Sequence, residues 1–151
     1  MPNQEISPGV PNNITKGYLK KQGAKPFNEQ VCGEFHAFVS KHSAVKPAIL
    51  AAHNGKRYDH RILAHHGWSY DCRAADTLEW FKHKSPGRNS YSLKNLYQEL
   101  FNSGVPAAHN AMPDVHALLR VMNAFKLEPG ECLDHSEHWD CVMARVVKSG
   151  R

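Results

Sequence analysis

The chain has no run of apolar residues approaching the roughly 20 that cross a bilayer. Its start, Met1-Pro2-Asn3-Gln4-Glu5, lacks both the basic opening and the apolar centre of a secretory leader, so no targeting segment is expected there. Cysteine is sparse: Cys32, Cys72, Cys132 and Cys141 form no Cys-x-x-Cys pair and read as reduced thiols of an intracellular protein, nuclear or cytoplasmic. No internal repeat or low-complexity segment is present, which excludes solenoids and linkers. Acid is in deficit, with 14 Asp and Glu against 19 Lys and Arg. The net charge of +5 points to an acidic partner, nucleic acid above all.

What remains is a globular composition, 41% hydrophobic and 22% charged, in 151 residues, the size of one domain. Pro2, Pro8, Gly9 and Pro11 make 1–13 an extended arm. A short helix is expected from Ile14, stopping near Gly23. A second has Pro26 in its first turn, Phe27, Val31, Phe35, Phe38 and Val39 on one face, and its end near Ser43. Ala48–Ala52 reads as a strand buried on both faces. A helix from about Lys56 to His66 comes next, closed by Gly67. Asp71–Thr77 holds a short strand whose Asp76 caps a helix over Thr77–Lys82, and Lys84–Asn89 is a basic loop. A helix over Tyr91–Phe101 turns Leu93, Leu96, Tyr97 and Leu100 inward. Asn110 caps the next, with Pro113 in its first turn and Val115, Leu118, Leu119, Met122 and Phe125 buried. Glu128-Pro129-Gly130 breaks the chain, and Asp134 with Glu137 opens a last helix carrying Trp139, Val142, Met143, Val146 and Val147. The division expected is an arm at 1–13, a main domain at 14–126 and a helical extension at 127–151.

Two stretches carry chemistry. His109 precedes Asp114 by five residues at the mouth of a helix, which suits a metal-binding carboxylate beside a histidine that takes a proton from water. The competing reading is a capped surface helix in a chain with 11 histidines. In Leu50–Asp59 a buried strand delivers Asp59 to a helix start, where ligands of helix-covered sheets bind; the competing reading is a plain turn with a solvated aspartate. Tyr58 and Leu19 can stack on or wedge beside a terminal base, and Lys84 and Arg88 in the basic loop can contact phosphates. Cys132, His135, His138 and Cys141 invite zinc. On one continuous helix, however, each three-residue step falls about 60° short of a turn, so the outer two face apart and a packed helix is expected instead.

Taken in order, Leu50–Asp59, Asp76–Leu78, Tyr91–Tyr97 and His109–Leu118 resemble the DEDDh 3′→5′ exonucleases, the TREX group most. Ile14-Thr15 with Leu19 resembles that family's Gly-Ile-Thr segment, with Asn13 in place of the glycine, and the likeness runs over about 8–125. The resemblance implies a ribonuclease-H-like α/β fold, its sheet covered by helices. It implies two divalent cations, Mg²⁺ or Mn²⁺, on four carboxylates, hydrolysing the 3′-terminal phosphodiester of DNA or RNA to nucleoside monophosphates. Asp59 and Asp114 match two of the ligands, His109 the general base, and His53, Asn54 and Ala111 the substrate pocket. A homodimer is the implied assembly. The family's other two carboxylates lie in a Phe-Asp-x-Glu-Thr strand that these residues do not contain. The expectation is therefore a fold entered after its first three strands: a fragment of a longer enzyme, a chain completed by a partner, or a non-catalytic nucleic-acid- or protein-binding module that kept the fold.

Overall fold

The run read as a strand is β1, Ile49–Ala52, and it pairs in parallel with β2, Arg73–Asp76, in the register Ile49↔Arg73 to Ala52↔Asp76. These belong to a computed structural model that describes residues 20–21, 23, 26–44, 47–107 and 110–150. The expected arm, the helix from Ile14, Leu19 and His109 lie outside the described residues.

A parallel pair needs a crossover, and α2, Asp59–His65, supplies it. β3, Ser136–His138, pairs antiparallel on the far side of β2, giving the order β1-β2-β3. Arg73 fastens that pairing from its side chain, Nε donating to Ser136 Oγ at 2.6 Å and Nη2 to Ser136 O at 2.8 Å. Central β2 is the buried strand: Ala74, Ala75 and Asp76 are all nearly inaccessible. β1 departs from expectation. As an edge strand it leaves Ala51 exposed and its other residues half-buried, because among the described residues only β2 flanks it.

The helices form two packed groups. α1, Glu29–His42, is capped by Asn28, whose Oδ1 accepts from the Val31 N–H at 3.1 Å, so Pro26 precedes the helix rather than opening it. Only Val39 of its apolar face is buried, while Phe27 and Phe38 lie open, because α1 meets the core along a narrow strip. Val39 joins Ala64, Trp68, Cys72, Ala74, Trp139 and Val142 in the first core. Burial there pushes the Cys72 thiol up to about 11, leaving it inert. The second core is Phe81 of α3 (Thr77–Lys84), Leu96 and Tyr97 of α4 (Leu93–Phe101), and Ala117 and Val121 of α5 (Ala111–Ala124). In α5 the expected Leu118, Met122 and Phe125 pack against this core, beside Ala117 and Val121, while the expected Val115 and Leu119 are 55% and 53% exposed.

The C-terminal part differs most. In place of one helix from Asp134, α6 (Pro129–Asp134) ends at that residue, β3 intervenes, and α7 (Trp139–Ser149) starts afresh on His138, whose Nδ1 accepts from the Asp140 N–H. Trp139 explains the break. Its backbone N–H donates to Cys72 O at 2.9 Å and its indole to Trp68 O at 3.0 Å, pinning this residue against β2. Among the described residues no helix is long and apolar enough to cross a membrane.

Candidate functional site

β1 and β2 end side by side, and one carboxylate locks together the segments that leave them. Asp76 Oδ1 accepts from the Asn54 N–H at 2.9 Å and from the Leu78 N–H at 3.0 Å; Oδ2 accepts from the Lys56 N–H at 3.1 Å. Asp76 thus caps α3, as the sequence predicts, and also clamps the 53–58 connection that leads to α2. At 4% exposure its charge needs these donors. Asn54 adopts φ +60°, a conformation asparagine tolerates better than most residues. The connection then winds on itself, Arg57 and Tyr58 donating to Asn54 O and His60 to Gly55 O. Gly55 is required by closeness: a Cβ there would sit 2.6 Å from His60 Cε1 and 2.8 Å from Ala52 Cβ.

Two histidines frame this turn, and burial lowers the pKa of both. The Tyr91 carbonyl can only accept, so His53 Nε2 donates to it at 2.7 Å and Nδ1 is left to accept from the Thr77 hydroxyl at 3.0 Å. Burial disfavours the charged form and leaves His53 in this neutral arrangement, with both ring nitrogens occupied. His60, 1% exposed, donates from Nε2 to Leu50 O at 3.1 Å, lies edge-on to Trp139, and keeps an unpartnered Nδ1 among the described residues.

The residues singled out in the sequence fall into three places. His53, Asn54 and Tyr58 share the clamped connection, and Asp59 follows it. Tyr58 is the α2 N-cap, 51% exposed with Arg57 over its ring, and Asp59 is the exposed first residue of α2, where the helix dipole favours a carboxylate. Ala111 and Asp114 share the first turn of α5, exposed and half-buried respectively, and the Asp114 N–H makes that helix's first bond, to Asn110 O. Asn110 is the N-cap by backbone conformation, but its side chain makes no cap bond to α5; its Nδ2 donates back to Ala107 O. Lys84 and Arg88 stand at the end of α3, and each is engaged within the chain. Lys84 pairs with Glu131 at 2.7 Å; Arg88 pairs with Glu99 and lies over the Phe125 ring. A ring relay links the first place to α5, from His53 to Phe81 at 5.8 Å and Phe81 to Phe125 at 5.0 Å.

Asp59 and Asp114 offer the hard oxygen donors that Mg²⁺ or Mn²⁺ takes. Among the described residues, no group of three or more His, Cys, Asp or Glu side chains is placed to hold a metal ion. The Cys132, His135, His138 and Cys141 set is divided among α6, its C-cap, β3 and α7, so these residues do not share the one continuous helix expected of them. His138 turns to Asp71 at 3.1 Å, and His135 to the His83 ring. Sequence reasoning missed the clamp. It marks Asp76 as a cap alone, although an aspartate at a strand end in register with β1 is the signal that it can reach across.

Residues 8–122 match the family described as Exonuclease. Three prime repair exonuclease 2 of Mus musculus is 32% identical over 114 residues, 66% of this chain and 48% of that protein. Three-prime repair exonuclease 1 of Bos taurus is 29% identical over 123 residues, 72% of this chain and 38% of that protein. For the Homo sapiens three-prime repair exonuclease 1 the figures are 29% over 137 residues, 80% and 43%. The chain spans less than half the length of each of these relatives.

Proposed function

Since the chain belongs to the DEDDh 3′→5′ exonuclease family, close to the three-prime repair exonucleases, we propose that it acts at the 3′ end of a DNA or RNA strand, hydrolysing the terminal phosphodiester to release nucleoside monophosphates. The observation that carries this reading is the Asp76 clamp. It holds a preformed turn at the carboxyl ends of two parallel strands and sets Tyr58 and Asp59 on its outer side. Ligands of helix-covered sheets bind at such ends.

Each residue then has a task. Asp59 and Asp114 are the carboxylates that would hold divalent cations, and His109 is the base that accepts the attacking water's proton. When bound, such cations supply Lewis acidity and a nucleophilic water at neutral pH. His53, neutral and held at both nitrogens, shapes the pocket and transfers no proton. Tyr58, open to solvent, offers its ring to the terminal base, a contact worth about 1–3 kcal/mol.

The test is a 5′-labelled single strand incubated with this chain and Mg²⁺ or Mn²⁺, beside a chelator control and His109→Ala. Stepwise shortening from the 3′ end, lost with chelator and in the variant, supports the reading. A folded chain that binds the strand but leaves it whole replaces it with a binding module of the same fold. Calorimetry with Mn²⁺ tests the ligands separately: Asp59→Asn and Asp114→Asn should each weaken binding.

A further inference from the structure

We propose that the cleft between α2 and α7 is a second nucleic-acid contact, a track for the phosphate backbone of the strand leading away from its 3′ end. The cleft encloses about 440 Å³ and is lined by Lys56, Arg61, Arg145 and Lys148 over a floor of Val142 and Val146. Its cations come from three segments, the 53–58 connection, α2 and α7. Lys56 is paired with Glu79 at 2.6 Å and Arg145 with Glu137. The side chains of Arg61 and Lys148 have neither ion pair nor hydrogen bond among the described residues, and both are exposed. Four cations against two carboxylates leave an excess of two positive charges.

Three features select a polynucleotide backbone. Unpaired guanidinium and ammonium groups suit phosphate oxygens, which favour them by charge and by releasing condensed counterions. The valine floor accepts the apolar faces of sugars and bases between the phosphates. The cleft also adjoins the proposed site, for Lys56, which lines it, lies in the clamped connection that leads to Asp59. A strand whose last nucleotide sits at Asp59 therefore meets this track as it leaves. The residues expected to serve phosphates, Lys84 and Arg88, are paired with Glu131 and Glu99, whereas Arg61 and Lys148 have no such partner among the described residues.

This inference rests on the proposed function for the direction of the strand, and its test separates the two. Binding of a fluorescent single-stranded oligonucleotide of about 20 nucleotides is measured against salt by anisotropy, for the parent chain, for Arg61→Ala/Lys148→Ala and for the charge-keeping Arg61→Lys/Lys148→Arg. A labelled dinucleotide is the second probe. The alanine pair should bind the long strand several-fold more weakly and lower the magnitude of its salt slope by about 1.4, roughly 0.7 per lost contact to a single strand. The charge-keeping pair should bind like the parent, and the dinucleotide should not distinguish the three. Equal weakening of both probes overturns the inference, since the cations then serve the terminal nucleotide or the fold. An unchanged long strand overturns it too, while the His109→Ala and Mn²⁺ tests still judge the function on their own. A parent chain that binds no oligonucleotide overturns both.

Discussion

The Asp76 carboxylate lies 2.9 Å from the backbone nitrogen of Asn54, 22 residues earlier in the chain, and this bond joins the two strand ends into one scaffold. The same side chain also caps α3 and holds Lys56, so removing it strands three N–H groups at once. Asp76→Ala should cost about 2–3 kcal/mol, and Asp76→Asn, which keeps one acceptor, about half of that. Urea unfolding with an unchanged m-value measures both. An alanine variant within about 0.5 kcal/mol of the parent would show that water replaces the clamp at no cost.

Gly55 and His60 occupy one space. The added methyl of Gly55→Ala meets the His60 ring and Ala52 Cβ, and should destabilise by about 1–3 kcal/mol. Combining it with His60→Ala should recover part of that loss, leaving the Ala52 contact. A double-mutant cycle reads the coupling. Simple additivity would mean that the turn moves away bodily.

Acid should weaken the fold through His53 and His60. Burial holds both below their ordinary value of 6.5. Above that pH the two are neutral whether the chain is folded or not, and they add no pH dependence. As pH falls below 6.5, the unfolded chain takes up protons that the folded chain refuses, so stability drops until the lowered folded pKa values are passed. Urea midpoints taken from about pH 7.5 down to about pH 5.5 should decline, and His60→Phe should decline less steeply, by at most one proton's worth of slope. Parallel curves for parent and variant would refute the assignment.

Lys84 and Arg88 should matter less to nucleic acid than their place in a basic loop suggests. Their half-exposed pairs with Glu131 and Glu99 are worth at most about 1 kcal/mol each to the fold. Alanine at either position should weaken oligonucleotide binding less than the Arg61→Ala/Lys148→Ala pair does. Anisotropy at one fixed salt concentration ranks them. A larger loss at Lys84 would place the backbone on the loop instead.

Local chemistry makes much of this fold readable. The apolar run at Ile49–Ala52, the Asp76 cap, and the periodic leucines of α4 each record a choice made within a few residues. The unreadable parts are decided at long range. Ser136–His138 is three polar residues without alternation, and it becomes a strand only because β2 offers an edge and Trp139 is drawn down beside Cys72. Val115 and Leu119 belong to an apolar stripe wider than the neighbours of α5 cover, so periodicity cannot say which part of it is buried. At the site, Asp59 and Asp114 are legible as motif residues, while the bonds from Asp76 to Asn54 and Lys56 span about 20 residues and leave no local mark.

Trp139 also has a consequence for the birth of the molecule. It closes the first core from about 70 residues further along the chain, bonded through its backbone to Cys72 and through its indole to Trp68. On the ribosome, synthesis proceeds from the N-terminus at about 5–20 residues per second, and folding tends to follow that order. Here α1, β1, α2 and β2 emerge with Trp68 and Ala74 still uncovered, and must wait while the intervening helices are translated. The nascent chain therefore presents a half-built apolar surface to chaperones until Trp139 has emerged, and a ribosome stalled before residue 139 would hold a client rather than a folded domain.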